Sequence, residues 1–124
     1  MNANIEKKEN HVIIEINEDK LNSLAAPDLK TELVKFNNDG FHNIVIDMSK
    51  VTFADSSGLS ALLIANRLCK NSSGTFVIAA PQDAVKKLIQ ISQLDSILKL
   101  VPTVSEAVDL IMMEEVERDL QNDL

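Results

Sequence analysis

The sequence predicts one α/β domain over residues 1–124, a mixed sheet of four to five strands with about four helices. Three observations lead there. Short β-branched runs recur, at Val12-Ile13-Ile14-Glu15-Ile16, Ile44-Val45-Ile46 and Thr75-Phe76-Val77-Ile78-Ala79, and such density marks strands. Longer segments between them repeat their apolar residues at helical spacing. The run at Ile44 does not alternate with polar residues, the pattern of a strand covered on both faces. Strands that alternate with helices call for right-handed crossovers and a largely parallel sheet.

The elements follow in the order β-β-α-β-α-β-α-β-α. Residues 4–9 are mostly polar and suit a short edge strand. Asn10 suits a turn into a second strand over 11–16, which makes a hairpin. Asn17-Glu18-Asp19-Lys20 breaks the apolar pattern. A helix is predicted to start near Ala25 to Pro27, because proline fits a first helical turn, where its missing N–H would be unbonded anyway. Ala26, Leu29, Leu33 and Phe36 supply its buried stripe, and Asn37-Asn38-Asp39-Gly40 stops it. After the strand at 44–46, a second helix runs from Ser56 to Cys69-Lys70 and closes at Asn71-Ser72-Ser73-Gly74. The strand 75–79 ends before Pro81. A helix over 82–92 buries Val85, Leu88 and Ile89. A short edge strand over 97–101 stops at Pro102. The last helix starts near Val104, with Ala107, Val108, Ile111 and Met112 as its buried stripe. Its acidic end over 114–124, including Glu114-Glu115-Val116-Glu117-Arg118-Asp119, is expected to be a solvated, fraying face.

Composition narrows the function. Nearly half of the 124 residues are apolar, enough for a core in a domain of ordinary size. The 12 Lys and Arg against 19 Asp and Glu leave a net charge of −7, which disfavours phosphate backbones and anionic membranes as direct partners. With four Phe and no Trp or Tyr there is no stacking platform for single strands. The N-terminus lacks a secretory pattern, no run approaches a membrane span, and Cys69 is the only cysteine. A cytoplasmic home is the expectation.

The working site is expected where the Ile44 strand hands over to a helix, at Phe53-Ala54-Asp55-Ser56-Ser57-Gly58-Leu59-Ser60. Strand-to-helix connections of α/β proteins are where binding and chemistry are placed. Asp55 and Ser56 have two roles open to them. They can cap the helix, which is what such residues usually do. Alternatively, Ser56 can carry a phosphate, since a helix N-terminus accepts negative charge. A count of about 100° per residue puts Ala61, Leu62, Ala65, Leu68 and Cys69 on one face, toward the sheet. Ser56, Ser60, Leu63, Arg67 and Lys70 share the other, with Leu59 beside Leu63. Those two leucines are either ordinary surface or loop-packed residues, or the apolar centre of a protein-binding face.

The string Phe53-Ala54-Asp55-Ser56-Ser57-Gly58-Leu59 after an Ile-Val-Ile-Asp strand resembles the signature of the STAS family, and more narrowly that of bacterial anti-sigma factor antagonists. The element order, the loop near Asn22, the Phe76-Val77-Ile78 strand and the helix with Val85-Lys86-Lys87-Leu88 fit as well, so the resemblance covers the whole chain. It implies a single cytosolic STAS domain that binds an anti-sigma factor and thereby frees a sigma factor. It further implies that this partner is a serine kinase of the histidine-kinase-like ATPase type, which switches the antagonist off by phosphorylating Ser56, and that a PP2C-type phosphatase restores it. Asn22, Asp55, Ser57, Gly58, Leu59, Ser60, Leu63 and Arg67 would then form the partner-binding surface, with Gly58 allowing close approach of the partner backbone. One departure is visible. Family members often carry Asp in the loop before the first helix, and here Asn22 stands there, with Asp19 as another holder of that part. Stand-alone STAS domains also serve as adaptors, for example in lipid-transport ABC complexes, where phosphorylation need not matter.

Enzyme chemistry finds little support. The histidines, His11 and His42, flank strands rather than the serine junction, and a G-x-S-x-G elbow is absent. Gly40, Gly58 and Gly74 are too scattered for a phosphate loop or dinucleotide fingerprint. Asp47 and Asp55 lack a His or Cys cluster to complete a metal site. No cofactor is expected.

Overall fold

The computed structural model describes residues 1–122. β1 (Ala3–Lys7) and β2 (Val12–Ile16) form an antiparallel hairpin, and α1 (Ala26–Asn38) follows after the two-residue β3 (Lys20–Leu21). Next come β4 (Ile44–Asp47), the two-residue β5 (Phe53–Ala54), α2 (Ser56–Asn71), β6 (Phe76–Ala79), α3 (Asp83–Ile91), β7 (Lys99–Val101) and α4 (Val104–Asn122). The main sheet has the order β1-β2-β4-β6-β7, parallel throughout except for β1. It is the predicted mixed α/β architecture with four helices.

Period-two alternation sorts the central strands onto two cores. Ile44 and Ile46 of β4 and Phe76 and Ile78 of β6 point into the larger one, with α1, α2 and α3. Val45, Val77 and Ala79 point the other way, onto Ala107 and Ile111 of α4. Covered on both faces, β4 carries no polar residue until Asp47, whose Oδ1 accepts from the Ser49 N–H at 2.9 Å as a turn carboxylate. Gly40, at φ +95°, reverses the chain after α1 in a conformation that a side chain would resist.

The structure departs from the sequence reading in three places. β3 and β5 are unheralded: each is a two-residue strand, and they pair only with each other, in parallel. They exist because the β2–α1 and β4–α2 connections run side by side. The acidic end of α4 is solvated on one side only, with Val116, Glu117, Asp119 and Leu120 exposed. The helix continues to Asn122, and Glu114, Glu115 and Arg118 are partly buried against the body. Glu115 accepts from Asn43 Nδ2 at 2.6 Å and from Asn10 Nδ2 at 2.7 Å. Glu114 meets Lys99 Nζ at 2.6 Å and the Thr75 hydroxyl at 2.9 Å. Met112 is also exposed rather than part of the buried stripe. Asp123 and Leu124, the last residues of the predicted acidic end, lie outside the described residues.

Candidate functional site

Asp55 starts α2 with extended backbone, and its Oδ1 accepts from the Gly58 N–H at 3.0 Å. That is a helix N-cap, which satisfies one of the N–H groups a helix start leaves unbonded. Its other oxygen, Oδ2, accepts from the Ser23 N–H at 3.3 Å. One carboxylate thus ties the start of α2 to the loop before α1. The Asp55 N–H in turn donates to the Leu21 carbonyl at 3.3 Å. Ser56, the first helical residue, is exposed beside this tie, and among the described residues its hydroxyl has no hydrogen-bond partner.

Asn22 holds the loop itself. Its Oδ1 accepts from the Leu24 N–H at 3.0 Å and the Ala25 N–H at 3.3 Å, an Asx turn. Its main-chain carbonyl accepts from Ala26 at 2.8 Å and so leads into α1. An amide oxygen makes these bonds as a carboxylate would, so Asn in place of Asp changes the charge of the loop and leaves its turn intact. Asp19 lies on the other side of β3, where its carboxylate accepts from the Thr52 hydroxyl and its carbonyl from the Thr52 N–H at 2.8 Å. Asn22, not Asp19, is the residue in the loop that Asp55 holds.

Gly58 is buried, and a Cβ there would overlap the Leu21 carbonyl oxygen, with the carbonyl carbon only 3.1 Å away. The close approach that this glycine permits is therefore to the protein's own β3, not to the backbone of a partner. Leu59 is 8% exposed and belongs to the large core, and Leu63 is half-buried against it. Neither leucine is the centre of an exposed apolar face. On another flank α2 packs on α1, where Asn37 Nδ2 donates to the Ser72 hydroxyl at 2.9 Å. Ser57 and Ser60 are half-buried, and Arg67 is exposed three turns down the helix. Toward the sheet, Ala61, Leu62, Ala65 and Cys69 are fully buried. Burial pushes the Cys69 thiol up to about 12, so it stays protonated and inert.

The exposed apolar residues near Ser56 are others. Leu24, 85% exposed, stands on the loop that Asp55 holds, and Phe53, 49% exposed, on β5 just before Asp55. Leu24 could have been noticed as a leucine inside the polar run Asn22-Ser23 and outside the helical stripe of α1. His11 precedes β2 and His42 precedes β4, at the end of the parallel strands opposite to the α2 N-terminus. Neither imidazole can serve Ser56 as a base. Among the described residues no group of His, Cys, Asp or Glu could hold a metal ion, and no helix is long and apolar enough to cross a membrane.

Comparison with known proteins gives the same picture. The STAS domain profile matches residues 2–107. A candidate anti-sigma factor antagonist of Thermotoga maritima is 32% identical over 84 residues, 68% of this chain and 70% of that protein. The crystal structure of a candidate anti-sigma factor antagonist from T. maritima superposes with a TM-score of 0.81 at 26% identity, covering 89% of this chain and 94% of the other. The anti-sigma factor antagonist SpoIIAA, in its unphosphorylated form, has the same fold, with a TM-score of 0.77 at 21% identity over 90% and 96% of the two chains. A profile match over most of the chain, a relative at 32% identity and a common fold agree, and the chain belongs to the STAS domain family.

Proposed function

We propose that this chain is an anti-sigma factor antagonist. It binds a serine-kinase anti-sigma factor in the cytoplasm through the loop at 22–24 and the first turns of α2, and phosphorylation of Ser56 ends that complex. A PP2C-type phosphatase resets it. The observation that carries the proposal is the bridge made by Asp55 beside an exposed, unbonded Ser56 hydroxyl. Asp55 already occupies the Gly58 N–H, so a phosphate on Ser56 stays outward, where it adds about 1.5 to 2 negative charges to the surface a partner must cover. The helix tolerates this charge at its N-terminus, while a flat interface must desolvate or repel it. That switches binding without refolding. Leu24 and Phe53 supply the apolar contacts, and Asn22, Ser57, Ser60 and Arg67 the polar ones. Gly58 and Leu59 act from beneath by holding the surface in shape.

Intact mass after incubation with ATP and the serine-kinase anti-sigma factor, with Ser56→Ala in parallel, tests this. One phosphate on the wild type and none on the variant is the expected result. A phosphate that persists in the variant moves the acceptor to Ser57 or beyond. A stable complex that gains no phosphate overturns the switch and leaves the adaptor role.

A further inference from the structure

The distal half of α4 is amphipathic in the reverse sense. Its inward residues are polar: Glu114 and Glu115 bind Lys99, Thr75, Asn43 and Asn10, and Arg118 Nη1 donates to the Thr75 hydroxyl at 3.0 Å. Its outward residues are apolar. Met112, Met113, Val116 and Leu120 are each 50% to 62% exposed. The spacings 112-116-120 and 113-116-120 place them on a single stripe. The inward hydrogen bonds fix the rotation of the helix, so the stripe cannot turn in to bury itself.

The rim of the stripe is acidic. Asp109, Glu117 and Asp119 are exposed on α4, and the only cation of the helix, Arg118, is engaged inward. The C-terminal end of the helix adds partial negative charge. A second copy of this chain, at net −7, would bring carboxylates against carboxylates, and an anionic membrane would meet the same repulsion. We infer that the outer face of α4 is a second docking surface, whose occupant is a basic amphipathic helix of another protein with Leu-type residues on one face and Lys or Arg on its flanks. The contacts made by Asn43 and Thr75 place this surface at the N-terminal ends of β4 and β6, whereas Ser56 lies past the opposite ends. The two surfaces work independently, so a protein held on α4 stays bound whatever the state of Ser56.

A Leu/Lys amphipathic peptide of about 18 residues, five helical turns, is the probe, with a scrambled peptide of the same composition as control. Fluorescence anisotropy against the full chain gives the affinity. The expected result is binding of the amphipathic peptide that weakens with salt. It should fall at least about thirtyfold in the Met113→Gln, Val116→Gln, Leu120→Gln variant, with the thermal midpoint of the free chain moved by no more than about 2 °C. Val116→Gln alone serves should the triple variant unfold, and it should lose affinity in the same direction. Ser56→Asp should leave the affinity unchanged. Equal binding of the scrambled peptide, or full binding to the Gln variants, overturns the docking surface. A concentration-dependent dimer abolished by the triple variant overturns the assigned occupant. An affinity that Ser56→Asp alters more than severalfold overturns the independence of the two surfaces.

Discussion

Gly58→Ala separates local from tertiary control of the α2 N-terminus by its sign. Gly58 is the third residue of α2, and in a helix Ala is favoured over Gly by about 0.8–1 kcal/mol. Were the site open, the substitution would stabilise the protein by that amount. It is closed, because the new Cβ would overlap the Leu21 carbonyl oxygen. The atom in the way is backbone, held between β3 and the Asp55 N–H, so it cannot rotate aside as a side chain would. Overpacking of this kind costs about 1–3 kcal/mol, and more where the neighbour is rigid. With a rigid backbone atom in the way the cost lies toward the upper end of that range, and the net expectation is a destabilisation of about 1–2 kcal/mol. In a domain of this size that lowers the thermal midpoint by roughly 3–10 °C. Urea unfolding followed by circular dichroism gives the midpoint and slope directly. The Asp55 bridge should loosen as well, with faster amide exchange at Ser23 and Gly58. A Gly58→Ala protein more stable than wild type would refute the packing of α2 on β3 and with it the shape of the proposed docking surface.

Four further outcomes are expected. Asp55→Ala removes the cap and the loop tie together and should cost about 1–2 kcal/mol, whereas Asp55→Asn keeps an acceptor and should cost less than half of that; both are read by urea midpoints. Leu59→Ala should lose about 2–4 kcal/mol of stability through a core cavity, while Leu24→Ser should leave the stability within about 0.5 kcal/mol of wild type and lower affinity for the anti-sigma partner in calorimetric titration. Burial, with Lys8 nearby, holds the His11 pKa below its ordinary value against the pull of Glu115 and Glu6. The folded state therefore prefers neutral His11, and this contribution is present above the unfolded value of about 6.5 and lost as pH falls through the folded one. The wild type should thus lose more stability than His11→Gln between about pH 7.5 and about pH 5. Cys69, buried and raised to about 12, should resist iodoacetamide in the native state and react at once in denaturant.

Several of these expectations rest on places where local pattern and tertiary structure part company. Along α2, counting residues around a helix assigns two faces, and it correctly buries Ala61, Leu62, Ala65 and Cys69. It leaves Leu59 and Leu63 outside because it assumes that one side of the helix faces water. In the folded chain Leu59 is buried in the large core and Leu63 packs against it, so part of that side is closed. Along α4, an acidic run reads as solvated face, since Glu and Asp usually are. Here the partners of Glu114 and Glu115 are Asn10, Asn43, Thr75 and Lys99, most of them far away in sequence. Leu24 lies outside the α1 stripe, and only its place in the Asx turn of Asn22 shows that it is turned outward.

The sequence by itself determined the order and kind of the main elements, the two-sided burial of β4, the stop at Gly40 and the place of Asp55 and Ser56 at the start of α2. All of these rest on contacts within a few residues or on the period of apolar side chains, which a linear string records. The tertiary structure alone decided which side of each helix is covered, that β3 and β5 pair, that Gly58 answers to Leu21, and that α4 turns its apolar residues to solvent. Those outcomes depend on groups tens of residues apart, whose meeting is set by how the whole sheet and its helices close together.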